Sequence, residues 1–270
     1  NSGTISLVRN CTFLNNRGAY GGALHNSGTA INVTATIFVK NFARSEGGAV
    51  YNEGTMGFVK CAFSSNYASR GGGIYSQIPI GASSSSSSDS GGLPDIGVVT
   101  IESSSFFNNS ANSTGGAIHS KGFLLVEDTR ISGGTAMRGG GVFADDMADG
   151  FSSVMKCLFM RCTFSDLSAL GQGGAIFALG GSHLECDDCA FEDAAAPKGG
   201  AVFLATATNH SSAKTFTAST FSRCSADVKG GAFYTNVDIS VAGCNFSVAT
   251  AGEAGGGIYA NSDSAVTLTG

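Results

Sequence analysis

The chain has 270 residues, including 40 Gly, 19 Phe and eight Cys, and only 13% of its residues are charged. Phe and β-branched residues recur at regular intervals, which excludes a disordered chain. The formal net charge of −5 offers no basic footprint for nucleic acid. No run of apolar residues is long enough for a transmembrane helix, so the sequence predicts none.

One pattern occurs nine times: an apolar anchor, followed eight or nine residues later by a Gly-Gly doublet. The anchors are Phe13, Phe38, Phe63, Phe106, Ile131, Phe164, Phe191, Phe221 and Phe246. The doublets begin at Gly21, Gly47, Gly71, Gly115, Gly139, Gly173, Gly199, Gly230 and Gly255. The basal period is about 25 residues, and longer intervals leave the anchor-to-doublet spacing unchanged, as is typical of solenoids.

Aligning the nine units on their anchors gives columns of similar residues. The residue five before the anchor is apolar in every unit, and the residue two before it is small. Together with the anchor, these positions predict two short strands joined by a one-residue bend, and an apolar column after the doublet predicts a third. Three short strands per turn with Gly at the corners indicate an all-β, right-handed parallel β-helix of about nine coils.

The organisation of the repeats predicts one β-helix segment over residues 1–270 that belongs to a longer solenoid, because both ends resemble interrupted units. Three long intervals indicate inserted loops at about 77–97, 145–153 and 206–213, all along one edge of the rod. Basic residues often precede the doublet, and we interpret them as solvated corner residues. They are Arg70, Arg138, Lys198 and Lys229.

The Gly-Gly-Ala-Ile and Phe-x-x-Asn signatures resemble those of the chlamydial polymorphic outer-membrane proteins and of related extracellular repeat proteins. The doublet signature is present in all nine units, whereas Phe-x-x-Asn is present in the first four. The resemblance implies a secreted or surface-displayed single-stranded right-handed parallel β-helix, a pectin-lyase-like solenoid used for adhesion or as a stalk. It implies no catalytic residues, and the later units depart from its Asn position.

Four Asn residues share one corner column, at Asn16, Asn41, Asn66 and Asn109. Stacked carboxamides hydrogen-bond to each other and to turn backbone, so the column predicts a structural ladder. Cys162 and Cys189 also share a column in consecutive units, within reach of a disulfide. Two interpretations are open for the cysteines: small core residues, or at least one disulfide.

A second column follows the third apolar position and holds an aromatic ring in every unit. Its members are His25, Tyr51, Tyr75, His119, Phe143, Phe177, Phe203, Tyr234 and Tyr259. Strand alternation predicts that these rings point outward and stack at about 4.8 Å. Either the rings stack on each other beneath the edge loops, or they form an exposed stripe that binds a partner or a carbohydrate.

One short string, residues 183–189, contains H-x-E and C-x-x-C. Zinc deaminases place such elements on two helices, whereas here Cys186 and Cys189 fall in inward columns. A carbohydrate-active enzyme is the second hypothesis, since some β-helices cleave polysaccharides, but no column collects carboxylates. We therefore expect no catalytic residue, no metal and no cofactor.

Six Asn-x-Ser/Thr sequons are candidate glycosylation sites: Asn10, Asn32, Asn108, Asn112, Asn209 and Asn245. The sequence as a whole predicts an extracellular or cell-surface structural glycoprotein. Its expected partners are copies of itself or further coils in a fibre, reached through its ends or the aromatic column. An adhesin that binds a receptor or a surface glycan is the alternative.

Overall fold

The computed structural model describes residues 6–28, 31–78, 97–145, 156–205, 213–262 and 264–270. These residues form four parallel sheets, A to D, which the chain visits in that order once per coil. Neighbouring strands in a sheet come from consecutive coils, and sheet A has ten strands while the others have nine. Every regular element in the described part of the chain is a strand, so the all-β parallel solenoid is confirmed.

The strands of sheet A are Leu7–Arg9, Ile31–Thr34, Thr55–Val59, Val98–Glu102, Phe123–Glu127, Lys156–Met160, His183–Asp187, Lys214–Thr217, Ile239–Ala242 and Val266–Thr269. The strands of sheet B are Thr12–Leu14, Ile37–Val39, Ala62–Ser64, Ser105–Phe107, Arg130–Ser132, Thr163–Ser165, Ala190–Glu192, Thr220–Ser222 and Asn245–Ser247. The strands of sheet C are Arg17–Tyr20, Phe42–Glu46, Tyr67–Arg70, Ser110–Thr114, Thr135–Arg138, Ser168–Gln172, Ala195–Lys198, Ser225–Lys229 and Thr250–Ala251. The strands of sheet D are Leu24–Asn26, Val50–Asn52, Ile74–Ser76, Ile118–Ser120, Val142–Ala144, Ile176–Leu179, Val202–Ala205, Phe233–Thr235 and Ile258–Ala260.

The anchor residues lie in register at the centre of sheet B. Phe63, for example, pairs with Phe38 on one side and with Phe106 on the other. The rings of Phe38 and Phe63 stack with their centroids 4.7 Å apart and an interplanar angle of 6°. Inward side chains of sheets A, B and D join these rings in one continuous core, which explains why the anchor is apolar in every unit.

Sheet C is a fourth strand per coil, whereas the sequence predicted three. Its inward residue is a buried Ala in most coils, such as Ala43, Ala68 and Ala136. Ala is a weak strand signal, and the register shifts between neighbouring strands of this sheet. Both features conceal the period-2 pattern by which a strand is recognised.

Each Gly-Gly doublet turns the chain from sheet C into sheet D, and its two residues have different roles. Gly139 has a φ of 64°, a left-handed conformation that residues with a Cβ resist. A Cβ on Gly140 would lie 2.3 Å from the carbonyl O of Ser168 and 2.4 Å from that of Gly174. The first Gly therefore supplies the backbone angle, and the second permits the next coil to approach.

Two further bends, on either side of sheet B, consist mainly of non-Gly residues with positive φ. The bend between sheets A and B has Asn10, Ala35, Lys60, Ser103, Asp128, Arg161, Asp188 and Ala218 in this conformation. The bend between sheets B and C has Asn15, Lys40, Ser65, Asn108, Asp166, Asp193, Arg223 and Val248. Asn and Asp accept left-handed angles most readily, whereas a β-branched residue such as Val248 is strained there.

We expect Val248→Asn to raise the free energy of unfolding by about 1 kcal/mol, because Asn relieves this strain. Val248 is 74% exposed, so the substitution sacrifices little buried surface. Denaturant unfolding of both proteins measures the difference. The control is Val59→Asn in an extended strand of sheet A, which we expect to lower stability. A loss of stability in both variants would contradict the strain argument.

The three predicted insertions at 77–97, 145–153 and 206–213 lie mostly outside the described residues. Their flanking strands end at Ser76, Ala144 and Ala205, each in sheet D. The chain resumes each time in sheet A. All three intervals therefore interrupt the same D-to-A connection of the coil.

Candidate functional site along sheet D

The nine rings of the predicted aromatic column are the second residues of the sheet D strands and lie in register. Their ring centroids are between 4.7 and 5.6 Å apart from one coil to the next. Phe143, Phe177 and Phe203 form a cluster of their own, separate from the main core. Strand alternation thus directs the rings away from the interior, and they pack on each other.

The rings are nevertheless buried, so the alternative of an exposed stripe is wrong. Tyr75 and His119 are each 1% exposed, and Phe177 is 2% exposed. At the ends of the column His25, Tyr234 and Tyr259 are partly buried. A partner or sugar that stacks on ring faces needs open rings, so this column provides no such platform in the described structure.

The basic residues before the doublets contact the rings, because the corner places their side chains over them. The guanidinium of Arg138 lies 5.9 Å from the ring centroid of Phe143 and 5.6 Å from that of Phe177. The same arrangement holds for Arg70 over Tyr75, Lys198 over Tyr234 and Lys229 over Tyr259. Arg138 is exposed and the other three cations are only partly buried, so they remain solvated corner residues, and they also stabilise the column by cation–π contacts.

In the second and third coils the column has a polar rim built from residues two positions after the rings. Tyr51 donates a 2.8 Å hydrogen bond to Oε1 of Glu53. Gln77 Nε2 donates to the Tyr51 hydroxyl at 2.6 Å and to Glu53 Oε1 at 2.8 Å. Burial, followed by the hydrogen bond and charge of Glu53, raises the pKa of Tyr51, and burial also raises the pKa of Tyr75. Both phenols therefore stay protonated and act as donors.

His119 is a buried imidazole within the column and connects a hydroxyl to a carboxylate. Its Nδ1 lies 2.7 Å from Oγ1 of Thr114, and its Nε2 lies 3.4 Å from Oδ2 of Asp145. Lys121 Nζ lies 3.2 Å from the same carboxylate oxygen. Burial lowers the pKa of His119. Burial opposes ionisation of Asp145, but His119 and Lys121 outweigh it and lower the pKa of Asp145.

The order hydroxyl, imidazole, carboxylate is that of a catalytic triad, but its burial argues against catalysis here. Thr114 is 5% exposed and His119 is 1% exposed. A nucleophile must reach the atom that it attacks, and this hydroxyl is not presented to solvent. The group is better explained as a buried polar network that braces the ring column across the fourth and fifth coils, in which Nε2 of His119 has an ion-pair contact with Asp145 but no hydrogen bond.

The buried His119 makes stability depend on pH. The unfolded chain protonates this residue near a pKa of about 6.5, whereas the folded chain keeps it neutral to lower pH. The free energy of unfolding should therefore fall as the pH drops below about 6.5. We expect His119→Phe, which copies Phe143 of the next coil, to flatten this slope between about pH 7 and pH 5. Thermal unfolding across that range measures it.

The matched control is His183→Phe, because His183 is only partly buried at the start of a sheet A strand. We expect this variant to retain the slope of the unmodified chain. Equal slopes for the unmodified chain and His119→Phe would contradict the assignment of the pH dependence to His119.

The structure places the four predicted Asn residues in one hydrogen-bonded ladder. The backbone N–H and Nδ2 of Asn41 both donate to Oδ1 of Asn66, at 2.9 and 3.0 Å. Asn66 repeats the pattern on Asn109, and Asn16 repeats it on Asn41. The next coil has Gly134 in this column, so the ladder stops at Asn109. Its role is structural, since it satisfies buried backbone donors at a corner.

A second polar ladder, at the end of the first sheet D strands, has no counterpart in our sequence predictions. Asn26 Nδ2 donates to Oδ1 of Asn52 at 2.9 Å, and Asn52 Nδ2 contacts Oγ of Ser76 at 3.3 Å. All three side chains are fully buried. The third residues of the sheet D strands include Asn, Ser and apolar residues, so a comparison of residue types between units does not reveal this ladder.

All eight cysteines are free thiols in the structure. Cys162 and Cys189 occupy equivalent buried bends in consecutive coils, but the possible disulfide between them is not formed. Instead their Sγ atoms each lie 3.3 Å from a backbone carbonyl O, of Met160 and Asp187 respectively. Ser and Thr hydroxyls make the same contact in other coils, as Ser104 does at 2.8 Å. The small column thus consists of side chains that satisfy the backbone of the A-to-B bend.

The H-x-E and C-x-x-C string does not assemble a metal site among the residues that the structure describes. His183 Nε2 lies 3.6 Å from Oε2 of Glu185 at the surface. Cys186 and Cys189 point into the core instead. Burial also raises the pKa of Cys186, which disfavours the thiolate that would bind a metal.

Five of the six sequons lie in the described part of the chain. The side chains of Asn10, Asn32, Asn108, Asn112 and Asn245 are exposed. Asn112 also accepts a 2.6 Å hydrogen bond from the hydroxyl of Tyr67. The sixth sequon, Asn209, lies outside the described residues. Exposure permits modification of the five, and occupancy stays a prediction.

The third and fourth coils carry complete Phe-x-x-Asn and Gly-Gly signatures, and comparison with known families identifies them. Residues 60–77 and 103–121 match the Chlamydia polymorphic membrane protein repeat. In both segments the match runs from the A-to-B bend through sheets B, C and D. The resemblance noted in the sequence is therefore confirmed, and the polymorphic membrane protein repeat corresponds to three sides of a coil. Comparisons with curated proteins and with solved structures gave no match.

Among the residues described by the structure, no helix is long and apolar enough to cross a bilayer.

Proposed function

We propose that this chain is a non-catalytic structural segment of an extracellular rod or fibre displayed at the cell surface. The observation that supports this most directly is that each repeated column has a packing role. Phe anchors fill the core, Gly doublets turn it, Asn carboxamides join one corner and aromatic rings brace one side. The match to a polymorphic membrane protein repeat supports display at a surface.

In this proposal the rings of sheet D are not the assembly surface, because they are buried. Exposed apolar side chains lie instead at several places along the rod, and three of them are on sheet B in the first, second and fourth coils: Leu14 is 53% exposed, Ile37 is 44% exposed and Phe107 is 54% exposed. Isolated exposed apolar residues are ordinary. Several on one side of a rod favour a contact surface.

An adhesin is the second candidate, and the same exposed apolar side chains favour it. A fibre subunit should contact copies of itself, whereas an adhesin should bind a receptor or a surface glycan from the side. Immunoelectron microscopy of the native cell surface with antibodies against this chain distinguishes the two. We expect label along continuous filaments; label on separate stalks would favour the adhesin, and label confined to the cell interior would overturn both.

The non-catalytic part of the proposal has its own test. We expect the purified chain to leave acidic polysaccharides intact over a prolonged incubation, measured by the size distribution of the polymer. Release of shorter chains would overturn it, and a boiled sample controls for spontaneous breakdown.

Glycosylation of the native protein is a further part of the proposal. We expect the intact mass of the native chain to fall after treatment with an N-glycosidase, because five sequons present exposed Asn side chains. The same chain produced without glycans is the control. An unchanged mass of the native chain would remove the glycoprotein from the proposal.

A further inference from the structure

The surface on both sides of the Phe strand separates its charges along the rod axis. We call this surface the sheet B face: the last residue of each sheet A strand, the last residue of each sheet B strand and the two left-handed bends. Because coils stack in sequence order, residues early and late in the chain occupy opposite ends of this face.

The first three coils make the sheet B face basic. Arg9, Lys40 and Lys60 lie on it, and all three are exposed. No carboxylate occupies any of its positions in these described coils. An open groove at this end is lined by Arg9 and Lys60 together with Leu7 and Val59. The basic end therefore also offers apolar surface.

The fourth to seventh coils make the same face acidic. Its carboxylates are Glu102, Glu127, Asp128, Asp166, Asp187, Asp188, Glu192 and Asp193. Three arginines offset part of this charge. Arg161 pairs with Asp128 and Arg223, in the eighth coil, pairs with Asp193, each through two hydrogen bonds. Arg130 is exposed at the start of the sheet B strand in the fifth coil. The remaining carboxylates leave the face strongly negative.

The geometry points to a pair of copies of this chain that associate side by side and antiparallel through the sheet B face. The basic centre lies in the second coil and the acidic centre near the sixth, about 19 Å apart along the axis. A twofold axis midway between them places each basic end on the acidic end of the other copy, so the same contact forms twice. Phe107, in the fourth coil and 54% exposed, lies beside that axis.

This inference rests on the proposed structural function and names the partner. A second copy fits better than a polyanion, because a polyanion would be repelled by the acidic half of the same face. Asn10 and Asn108 are sequons on the face, and pairing requires both to be unmodified, so we expect glycans of the native chain at the other sequons only. The experiment accordingly uses the full 270-residue chain produced without glycans.

Sedimentation equilibrium of that chain at low and high salt gives the first test. We expect a dimer at low ionic strength whose dissociation constant rises at least about tenfold in 1 M salt, since exposed charges are then screened. A chain that is monomeric at low salt overturns the inference, and so does a dimer that is insensitive to salt.

Charge reversal gives the second test. Lys40→Glu with Lys60→Glu leaves Arg9 as the one cation at the basic end of the described face, and Asp166→Lys with Asp188→Lys removes two of the eight carboxylates and adds two cations at the acidic end. These positions share the same left-handed bends, so each variant introduces a charge type already found in that conformation. We expect the Lys-to-Glu variant to be monomeric and the Asp-to-Lys variant to dimerise more weakly than the unmodified chain. We expect the mixture to contain dimers of one variant with the other, because the acidic end of the first then meets the unchanged basic end of the second.

The matched control is Arg17→Glu with Arg44→Glu, two exposed residues of sheet C with the same total change in charge. We expect it to dimerise as the unmodified chain does. If the control dissociates like the sheet B variants, or if the mixture fails to form dimers, the assignment of the contact to the sheet B face is overturned. Failure of the dimer test does not contradict the proposed function, because antibodies would still label a rod without lateral pairing at the cell surface.

Discussion

Gly140→Ala should destabilise the solenoid by about 3 kcal/mol or more, the range of severe overpacking. The added Cβ would lie 2.3 Å from the carbonyl O of Ser168 and 2.4 Å from that of Gly174, both in the next coil. Neither atom belongs to a flexible side chain, and both coils are fixed by hydrogen bonds, such as Gly140 N to Gly173 O at 3.2 Å. Relief therefore requires separation of the fifth and sixth coils. The shift in the guanidinium unfolding midpoint measures the cost.

The control for this prediction is Gly257→Ala, because Gly257 directly follows the last Gly-Gly doublet. A Cβ there meets no atom within 4 Å, and other coils carry Ala at the same position, as at Ala117 and Ala175. We expect it to be neutral or to raise stability slightly by restricting the unfolded chain. If Gly140→Ala were as mild as Gly257→Ala, the doublet would be needed for its first residue alone.

The parallel β-helix could be predicted because each inward column demands one kind of side chain. The anchor position is Phe or Ile in every unit, and the doublet is Gly wherever the next coil approaches most closely. Sheet C escaped prediction for the opposite reason. Its inward residues, such as Ala68 and Ala111, are small, and its bulges displace the alternation.

The burial of the aromatic column depends on tertiary packing that a sequence window does not contain. Arg138 precedes its doublet and Phe143 follows it, and only the folded corner places the guanidinium over the ring. In the sequence alone, an Arg that contacts a ring looks the same before a Gly-Gly turn as an Arg that contacts only solvent. The direction of the rings followed from alternation, whereas their exposure depended on what covers them.

The separation of charge on the sheet B face can be predicted from the sequence by comparing the charged residues that occupy the same column in successive units. Lys60 and Asp188 occupy the same bend, as do Lys40 and Asp166. A net charge of −5 averages over these opposite ends and conceals both. In a solenoid the sequence position of a charge is also its axial position, so partner surfaces are better sought column by column.

Asn66→Ala should lower the free energy of unfolding by about 3 kcal/mol, since several buried polar groups lose their partners. The N–H and Nδ2 of Asn41 lose Oδ1 of Asn66 as acceptor. Oδ1 of Asn109 and the backbone carbonyl O of Phe38 lose Nδ2 of Asn66 as donor. Asn16→Ala is the control, because Asn16 is exposed at the start of the ladder. We expect it to cost less than about 1 kcal/mol.

Amide hydrogen exchange separates loss of the ladder from general loosening of the coil. The Asn41 N–H should exchange faster in Asn66→Ala, because its acceptor is the deleted side chain. The Phe42 N–H, which donates to the carbonyl O of Asn16 at 2.9 Å, should stay protected. If both amides exchanged alike, the substitution would have opened the corner as a whole. Selective exchange would assign to the carboxamides the task of holding consecutive coils together where the chain bends from sheet B into sheet C.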